Sequence, residues 1–474
     1  MKRLFFVLVV MTILPNFINA ENDVKIGKSN IKLNSRMMTP EALWAMGRIG
    51  SVEASPNGRR VVYQVGYYSV KANKSRQVIC LMDADGKNNR QLSTSSKSET
   101  DPTWLDENTI AYLSGGEIWA MNSDGSERKQ LSKTDGSVEG FKFSPDRKHV
   151  IILKSIPFHE IIQKNPDDLP KATGRRVTDL MYRHWDHYVE SIQHPFLCSV
   201  SDYFIATEMT DILEGEPYEC PMEPFGGIEQ LAWSPDSKTI AYTCRKKIGL
   251  EYSISTDSDI YLYNIGTRKT TNLCKPADYV APAYDPTRTL KIQAVNAPEN
   301  LKNNVGYDQN PQFSPDGKYI AWQSMERDGY EADLNRLCIY EMATGTKRYV
   351  NWKSDVEAFC WASQKDKLAQ IYFLSVWHGC NNMYCVNWKG EVKQLTESWG
   401  DWTSLQLAND GKRLIATRQS LSAPTDIYRV TPQQVKEQPL DATPGTHHIV
   451  ESYIEQISFE NKHILDQLTF GKVQ

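Results

Sequence analysis

Residues 310–350 read NPQFSPDGKYIAWQSMERDGYEADLNRLCIYEMATGTKRYV. A strand ends at Phe313, a turn follows at Ser314-Pro315-Asp316-Gly317, an apolar strand runs from Tyr319 to Gln323, and a charged loop leads to a third strand, Arg336 to Glu341. A Gly-containing turn then opens a fourth strand. Each signal has a cause: Pro pre-sets φ at the second turn position, Asp tolerates the bridge region, and Gly supplies the positive φ that reverses the chain. The β-branched and aromatic residues on either side suit a pleated, buried surface. The stretch spells one four-stranded antiparallel blade.

The same plan is written elsewhere. Ser55-Pro56-Asn57-Gly58 precedes RRVVYQV, Ser144-Pro145-Asp146-Arg147 precedes KHVIIL, and Ser234-Pro235-Asp236-Ser237 precedes KTIAYT. Weaker copies are Asp101-Pro102 with TWLDENTIAYL, Ala362 to Asp366 before KLAQIYFL, and Ala408-Asn409-Asp410-Gly411 before KRLIAT. The second hairpin recurs too, for example in IWAMNSDGSERKQLS and IYLYNIGTRKTTNL. Anchors at Pro56, Pro102, Pro145, Pro235, Pro315, Ser363 and Asn409 leave most intervals in the forties and two at about twice that. A period in the forties with four strands per unit is the mark of radial repetition. The prediction is an all-β fold, a seven-bladed β-propeller of four-stranded antiparallel blades over residues 39–446.

The two long intervals hold insertions, at about 155–193 and 274–309. The first contains VTDLMYRHWDHYVESI, aromatic and helix-like, so a partly helical insertion is predicted; the second is loop-rich, punctuated by Pro and Asn. Insertions that cannot fit between stacked sheets belong on one functional face. Thr39 to Gly47, TPEALWAMG, predicts a short N-terminal helix with Thr as N-cap, Pro at the first helical position and Gly at the stop. Residues 447–474 do not repeat the blade plan and read as two short strands or a connector.

At 40 % hydrophobic and 24 % charged residues, the 474-residue chain has ample material for a core. A formal net charge of −4 and no basic stripe argue against nucleic acid as a partner. Residues 1–20 carry Lys2 and Arg3, the apolar run LFFVLVVMTIL and a small residue, Ala20, before Glu21. That pattern predicts a secretory signal peptide, a flexible mature terminus over 21–38, no membrane span after signal removal, and a periplasmic or secreted protein. Most of the nine Cys sit in apolar strand patterns, where Cys acts as a small buried hydrophobe. Export permits disulfides without requiring them; Cys380 and Cys385, on two arms of a possible tight hairpin, are the nearest pair in sequence.

A serine nucleophile of the hydrolase type needs Gly-x-Ser-x-Gly, and none is found, so no catalytic residue is assigned. His184 and His187 would share one helix face but lack a third metal ligand; Asp83-Ala84-Asp85-Gly86 lacks the acidic twelfth residue of a calcium loop. No metal and no cofactor is called for. The most informative polar cluster is ERDGYEAD, Glu326 to Asp333, with five charges around a Gly and a Tyr. Two readings stand: a solvated loop of local ion pairs, or carboxylates that hold a cationic amine.

The exported start, the TPEALWAMGRIG helix before the first SPNG turn, the HWDHYV and HPF insertion, PFGGIEQLAWSPDSK from Pro224, and SPDGKYIAWQSMERDGYEAD together resemble the prolyl oligopeptidase family of serine peptidases, in its dipeptidyl peptidase V and acylaminoacyl-peptidase-like branch. The resemblance covers essentially the whole mature chain. It implies a substrate-gating, peptide-binding propeller that caps an α/β-hydrolase domain carrying the Ser, Asp and His; short peptides with a free N-terminus would be the partners. No hydrolase domain is read in this sequence, and 447–474 resembles the junction leading to one, so the chain is expected to be inactive alone. The resemblance nominates Glu326 and Glu331 for the substrate's α-ammonium and Arg327 for a substrate carbonyl. The alternative is a stand-alone TolB-like propeller acting as a protein-binding scaffold in the cell envelope.

Overall fold

In the computed structural model the Ser-Pro turn is built the same way four times. Ser314 Oγ donates to Asp316 Oδ1 (2.7 Å) and accepts the Tyr319 N–H (2.9 Å). The same pair of bonds ties Ser55 to Asn57 and Arg60, Ser144 to Asp146 and His149, and Ser234 to Asp236 and Thr239. The fourth turn residue is left-handed in every copy, with φ of 67° at Gly58, 59° at Arg147, 62° at Ser237 and 69° at Gly317. Two copies thus hold a side chain where Gly is favoured, at roughly 1 kcal/mol each. The structure describes residues 26–158, 162–163, 168–185, 187–280, 302–397, 399–408, 410–432, 438–439, 448–449 and 452–469. The predicted signal peptide, 1–20, and residues 281–301 of the second insertion lie outside them.

Seven antiparallel blades of four strands follow one another, and the sheet of blade six carries two further short strands, Gln438–Pro439 and His448–Ile449, the latter parallel to its edge. Blade one is Arg48–Ala54, Arg60–Ser69, Lys74–Asp83 and Arg90–Gln91. Blade two is Thr100–Trp104, Thr109–Ser114, Glu117–Asn122 and Lys129–Gln130. Blade three is Gly140–Phe143, His149–Pro157, Ser191–Ser201 and Phe204–Asp211. Blade four is Leu231–Trp233, Thr239–Cys244, Asp259–Asn264 and Lys269–Asn272. Blade five, the stretch quoted first, is Asp308–Phe313, Tyr319–Ser324, Arg336–Glu341 and Thr346–Tyr349. Blade six is Val356–Trp361, Ile371–Trp377, Cys380–Val386 and Val392–Gln394. Blade seven is Asp401–Leu407, Leu414–Ser420, Ala423–Pro432 and Ser452–Gln456.

First strands of neighbouring blades are stitched by side chains. Trp104, Trp233 and Trp361, each ending a first strand, donate Nε1–H to the carbonyls of Glu53, Lys142 and Gln312 in the preceding blade. Gln312 and Lys142 reach forward to the carbonyls of Phe359 and Leu231. Between blades, the cores are apolar. Ala321, Leu337 and Ile339 of blade five, for example, pack on Phe359, Phe373 and Tyr384 of blade six.

Among the described residues no strand is shared between the first and last blades. Ring closure rests on Val61, Tyr63 and Val78 of blade one packing with Ala408, Ile415 and Ile427 of blade seven, and on Gln406, whose Oε1 accepts the Ala54 N–H. The two chain ends add a clasp. Helix α1, Pro40–Ala45, is capped by Thr39, whose Oγ1 accepts the Ala42 N–H, and it sets Ala42 and Met46 against Ile464 and Leu468. Asn461 donates to the Gly47 carbonyl and accepts the Gly47 N–H, both at 2.8 Å, and Glu460 accepts the Tyr67 hydroxyl at 2.8 Å.

Antiparallel strands alternate in direction, so second-to-third connections and blade-to-blade connections leave at one end of the ring, and the Ser-Pro turns at the other. Five of the long connections, 158–190, 212–230, 245–258, 273–307 and 325–335, therefore fall at the same end. The described terminal segments, 26–47 and 457–469, meet there as well.

Three expectations need correction. The first insertion holds no helix among its described residues; it contributes two short hairpins, Ile162–Gln163 with Arg176–Val177 and Arg183–His184 with His187–Tyr188. Aromatic and β-branched residues there pair across strands, and left-handed Met181 (φ 62°) and Trp185 (φ 37°) break any helix. Residues past 446 supply the last strand of blade seven, Ser452–Gln456, and a short helix, Lys462–Leu465, so the propeller runs further than predicted. Cys380 and Cys385 occupy one strand, about 17 Å apart, and all nine cysteines are free. A bridge needs Cα atoms within about 7 Å. Asp83 to Gly86 forms a plain hairpin turn, with Gly86 N–H on the Asp83 carbonyl.

Candidate functional site

The loop that carries Glu326, Arg327 and Glu331 joins the second and third strands of blade five at the long-loop end. Its charges mostly satisfy one another. Arg327 gives Nε to both oxygens of Asp333 (2.9 Å each), its backbone N–H also reaches Asp333, and its guanidinium lies 3.9 Å from the centre of the Tyr330 ring. Asp328 accepts from Ser255 Oγ (2.6 Å) and the Thr256 N–H (2.8 Å), which pins the loop to the 245–258 loop of blade four. Glu326 turns inward beside Arg336 at 3.6 Å, with only 12 % of its side chain exposed. Glu331 is exposed. The structure thus separates the three nominated residues: one carboxylate inward, the guanidinium engaged, one carboxylate in solvent.

A second acidic centre stands at the same end. His184 and His187 face each other across a hairpin, and His184 Nε2 meets Glu219 Oε2 at 3.1 Å, both side chains being buried. Glu219 also accepts the N–H of Glu223 (3.2 Å), so the two carboxylates sit on one turn of the connection between blades three and four. Burial raises the Glu223 carboxyl above its ordinary range, and the Glu219 charge adds to it, against the pull of His184 and His187. Gln193 Nε2 donates to Glu223, and Tyr252 packs between His184 (6.0 Å) and the Arg245 guanidinium (3.9 Å).

Apolar groups flank this centre. Trp185 and Phe225, 71 % and 76 % exposed, meet edge to face at 4.7 Å and join the tips of two loops. A cavity of about 440 Å³ opens beside Ile156, Phe158, Ile192 and Pro217. Glu219 and Glu223 were missed by sequence reasoning because YECPMEPFGG carries no motif or periodicity; two carboxylates four residues apart among prolines were the only signal. The arrangement can hold a cation at a carboxylate pair and an apolar group next to it. Among the described residues one group brings metal-ligating atoms together, Asp259, Cys274 and Asp308, away from this centre in sequence and in blade.

No protein-family model matches the chain. It is 40 % identical over 440 residues to dipeptidyl-peptidase 5 of Porphyromonas gingivalis, covering 91 % of this chain and 57 % of that protein. Over 403 residues it is 38 % identical to dipeptidyl-peptidase 5 of Porphyromonas endodontalis, covering 84 % and 54 %. Among solved structures it is similar to the Pyrococcus horikoshii acylaminoacyl peptidase, with a TM-score of 0.56 and 14 % identity over 90 % of this chain and 55 % of that one, a likeness of fold. The chain spans just over half the length of the curated relatives it matches.

Proposed function

Since this chain belongs with the dipeptidyl-peptidase 5 proteins of the prolyl oligopeptidase family, we propose that it is the propeller portion of an exported serine dipeptidyl peptidase, which admits and holds short peptides by their free N-terminus and does not cut them by itself. The observation that carries the reading is the gathering of five long connections at one end of the ring, with Glu223 and Glu331 on two of them.

Within that reading, Glu331 and Glu223 are the carboxylates that receive the α-ammonium. Glu223 gains most from an arriving cation, because a positive charge relieves both its burial and its repulsion with Glu219. Glu326 acts from beneath, holding Arg336, and Arg327 keeps a guanidinium edge beyond the Asp333 contact for a substrate carbonyl. The test is fluorescence anisotropy with labelled tetrapeptides carrying a free or an acetylated N-terminus. Binding at least tenfold tighter for the free amine, lost in Glu223→Gln with Glu331→Gln, is expected. Equal affinity for both peptides contradicts the reading, as does turnover of a dipeptidyl reporter by this chain.

A further inference from the structure

Blades four and five meet around a buried polar cluster that the peptide-binding reading does not use. Asp259 opens the third strand of blade four, Cys274 follows its fourth strand, and Asp308 opens blade five. One oxygen of each carboxylate and the Cys274 sulfur lie within 4.8 Å of one another, and all three residues are buried.

The cations nearby are taken up by Asp257, Asp259 and a backbone carbonyl, and among the described residues none reaches Asp308. Lys275 Nζ bridges Asp257 and Asp259 at 2.6 Å each, Lys247 reaches Asp257 at 3.4 Å, and Lys347 donates to the Cys274 carbonyl. Asp308 is different. Its carboxylate, 0 % exposed, is met by neutral donors, Trp322 Nε1–H at 2.6 Å and the Asn304 amide. A buried carboxylate answered only by neutral groups is costly unless a proton or a cation joins it.

Asn304 supplies an independent sign. It is 1 % exposed and lies across two of the three ligands, its backbone N–H on the Cys274 carbonyl and its Nδ2 on Asp308 and on Ser324 Oγ (2.9 Å). Its Oδ1 is buried with no hydrogen-bond partner. With Asp308 ionised, turning the amide over would set a second acceptor against it. A cation beside Asp308 answers both the unbalanced carboxylate and the orphaned oxygen.

We propose that this junction binds a divalent transition-metal ion, zinc by preference, through Asp259, Cys274, Asp308 and the amide oxygen of Asn304. Four donors including one sulfur match zinc, whereas calcium needs six to eight oxygens. As the metal–sulfur bond forms, the Cys274 proton leaves to solvent. The ion braces blades four and five directly beneath the loop that carries Glu331.

The test uses the full chain after dialysis against a chelator. Titration with Co²⁺ is expected to give one equivalent bound with a sulfur-to-cobalt charge-transfer band, and Zn²⁺ is expected to displace it and raise the unfolding temperature. Cys274→Ser abolishes the band, and Asn304→Ala weakens Zn²⁺ binding at least tenfold. No charge-transfer band in the wild-type chain, or a band that persists in Cys274→Ser, overturns the proposal. Should Cys274→Ser fail to fold, the wild-type spectrum and Asn304→Ala decide; unchanged Zn²⁺ affinity in the latter overturns it equally.

Discussion

Replacing Asn461 by Ala tests how the ring is held shut. Among the described residues the first and last blades share no strand, so the clasp of 26–47 with 457–469 reinforces the seam, and Asn461 is its centre. Its side chain, 1 % exposed, meets both backbone groups of Gly47 at 2.8 Å. Gly47 is itself buried, and a Cβ there would stand 2.8 Å from the Tyr67 ring and 2.9 Å from Glu460, so the two backbones approach as closely as a glycine allows. Asn461→Ala leaves a buried N–H and a buried C=O without partners. At roughly 1–3 kcal/mol for each, the loss is about 2–6 kcal/mol. Unfolding entropy of about 2.1 cal/mol/K per residue dilutes this to a shift of only about 2–6 °C in a chain of this size. Urea denaturation therefore reads it better than melting, with hydrogen exchange over residues 26–47 reporting whether the clasp opens first. Asn461→Asp keeps an acceptor for the Gly47 N–H, loses the donor and adds a charge beside Glu460, so it should be at least as damaging at neutral pH. A stability loss in Asn461→Ala below about 0.5 kcal/mol, with unchanged exchange at 26–47, would refute the idea that the clasp closes the ring.

Two further outcomes follow from the same structure. Glu53, on the first strand of blade one, has its carboxyl pushed up to about 7 by burial, against the opposing pull of the Trp104 N–H and the Arg147 and Lys142 charges. A carboxyl raised on folding gives stability below its unfolded pKa and loses it as pH rises through the folded one, so Glu53 weakens the fold between about pH 4.5 and 7, by up to about 3 kcal/mol at pH 8. Glu53→Gln should flatten that part of the pH–stability curve and be more stable than wild type at pH 8; an unchanged slope would contradict the assignment. Dithiothreitol should leave the urea midpoint unmoved, because no cysteine pair is bridged; a drop of more than about 1 kcal/mol would mean a disulfide has formed.

The propeller was legible because its punctuation is local chemistry. Ser314, Asp316 and Tyr319 bond within six residues, and the same bonds recur at Ser55, Ser144 and Ser234, so a four-residue pattern reports the backbone directly. The cap at Thr39 was readable for the same reason. What failed depended on distant partners. HWDHYV has the aromatic spacing of a helix face, yet Trp185 turns left-handed and His184 pairs with His187, which only the surrounding loops dictate. That a strand past residue 446 completes blade seven was not legible, because Ser452–Gln456 finds its partner at the free edge of Ala423–Pro432 and not in its own neighbourhood. In the candidate site, the charge density of Glu326 to Asp333 was visible, but its use was not: Asp333 takes up Arg327 and Arg336 draws Glu326 inward. Glu219 and Glu223 gain their meaning from His184, some 35 residues away.

The claim on which the functional reading depends is that one end of the ring receives peptides. Hydrogen-exchange mass spectrometry with and without a saturating tetrapeptide addresses it directly. Protection should appear in the loops at 212–230, 245–258 and 325–335 and leave the turns at Ser55, Ser144, Ser234 and Ser314 unchanged. Protection concentrated on those Ser-Pro turns, or none at any loop, would contradict the account.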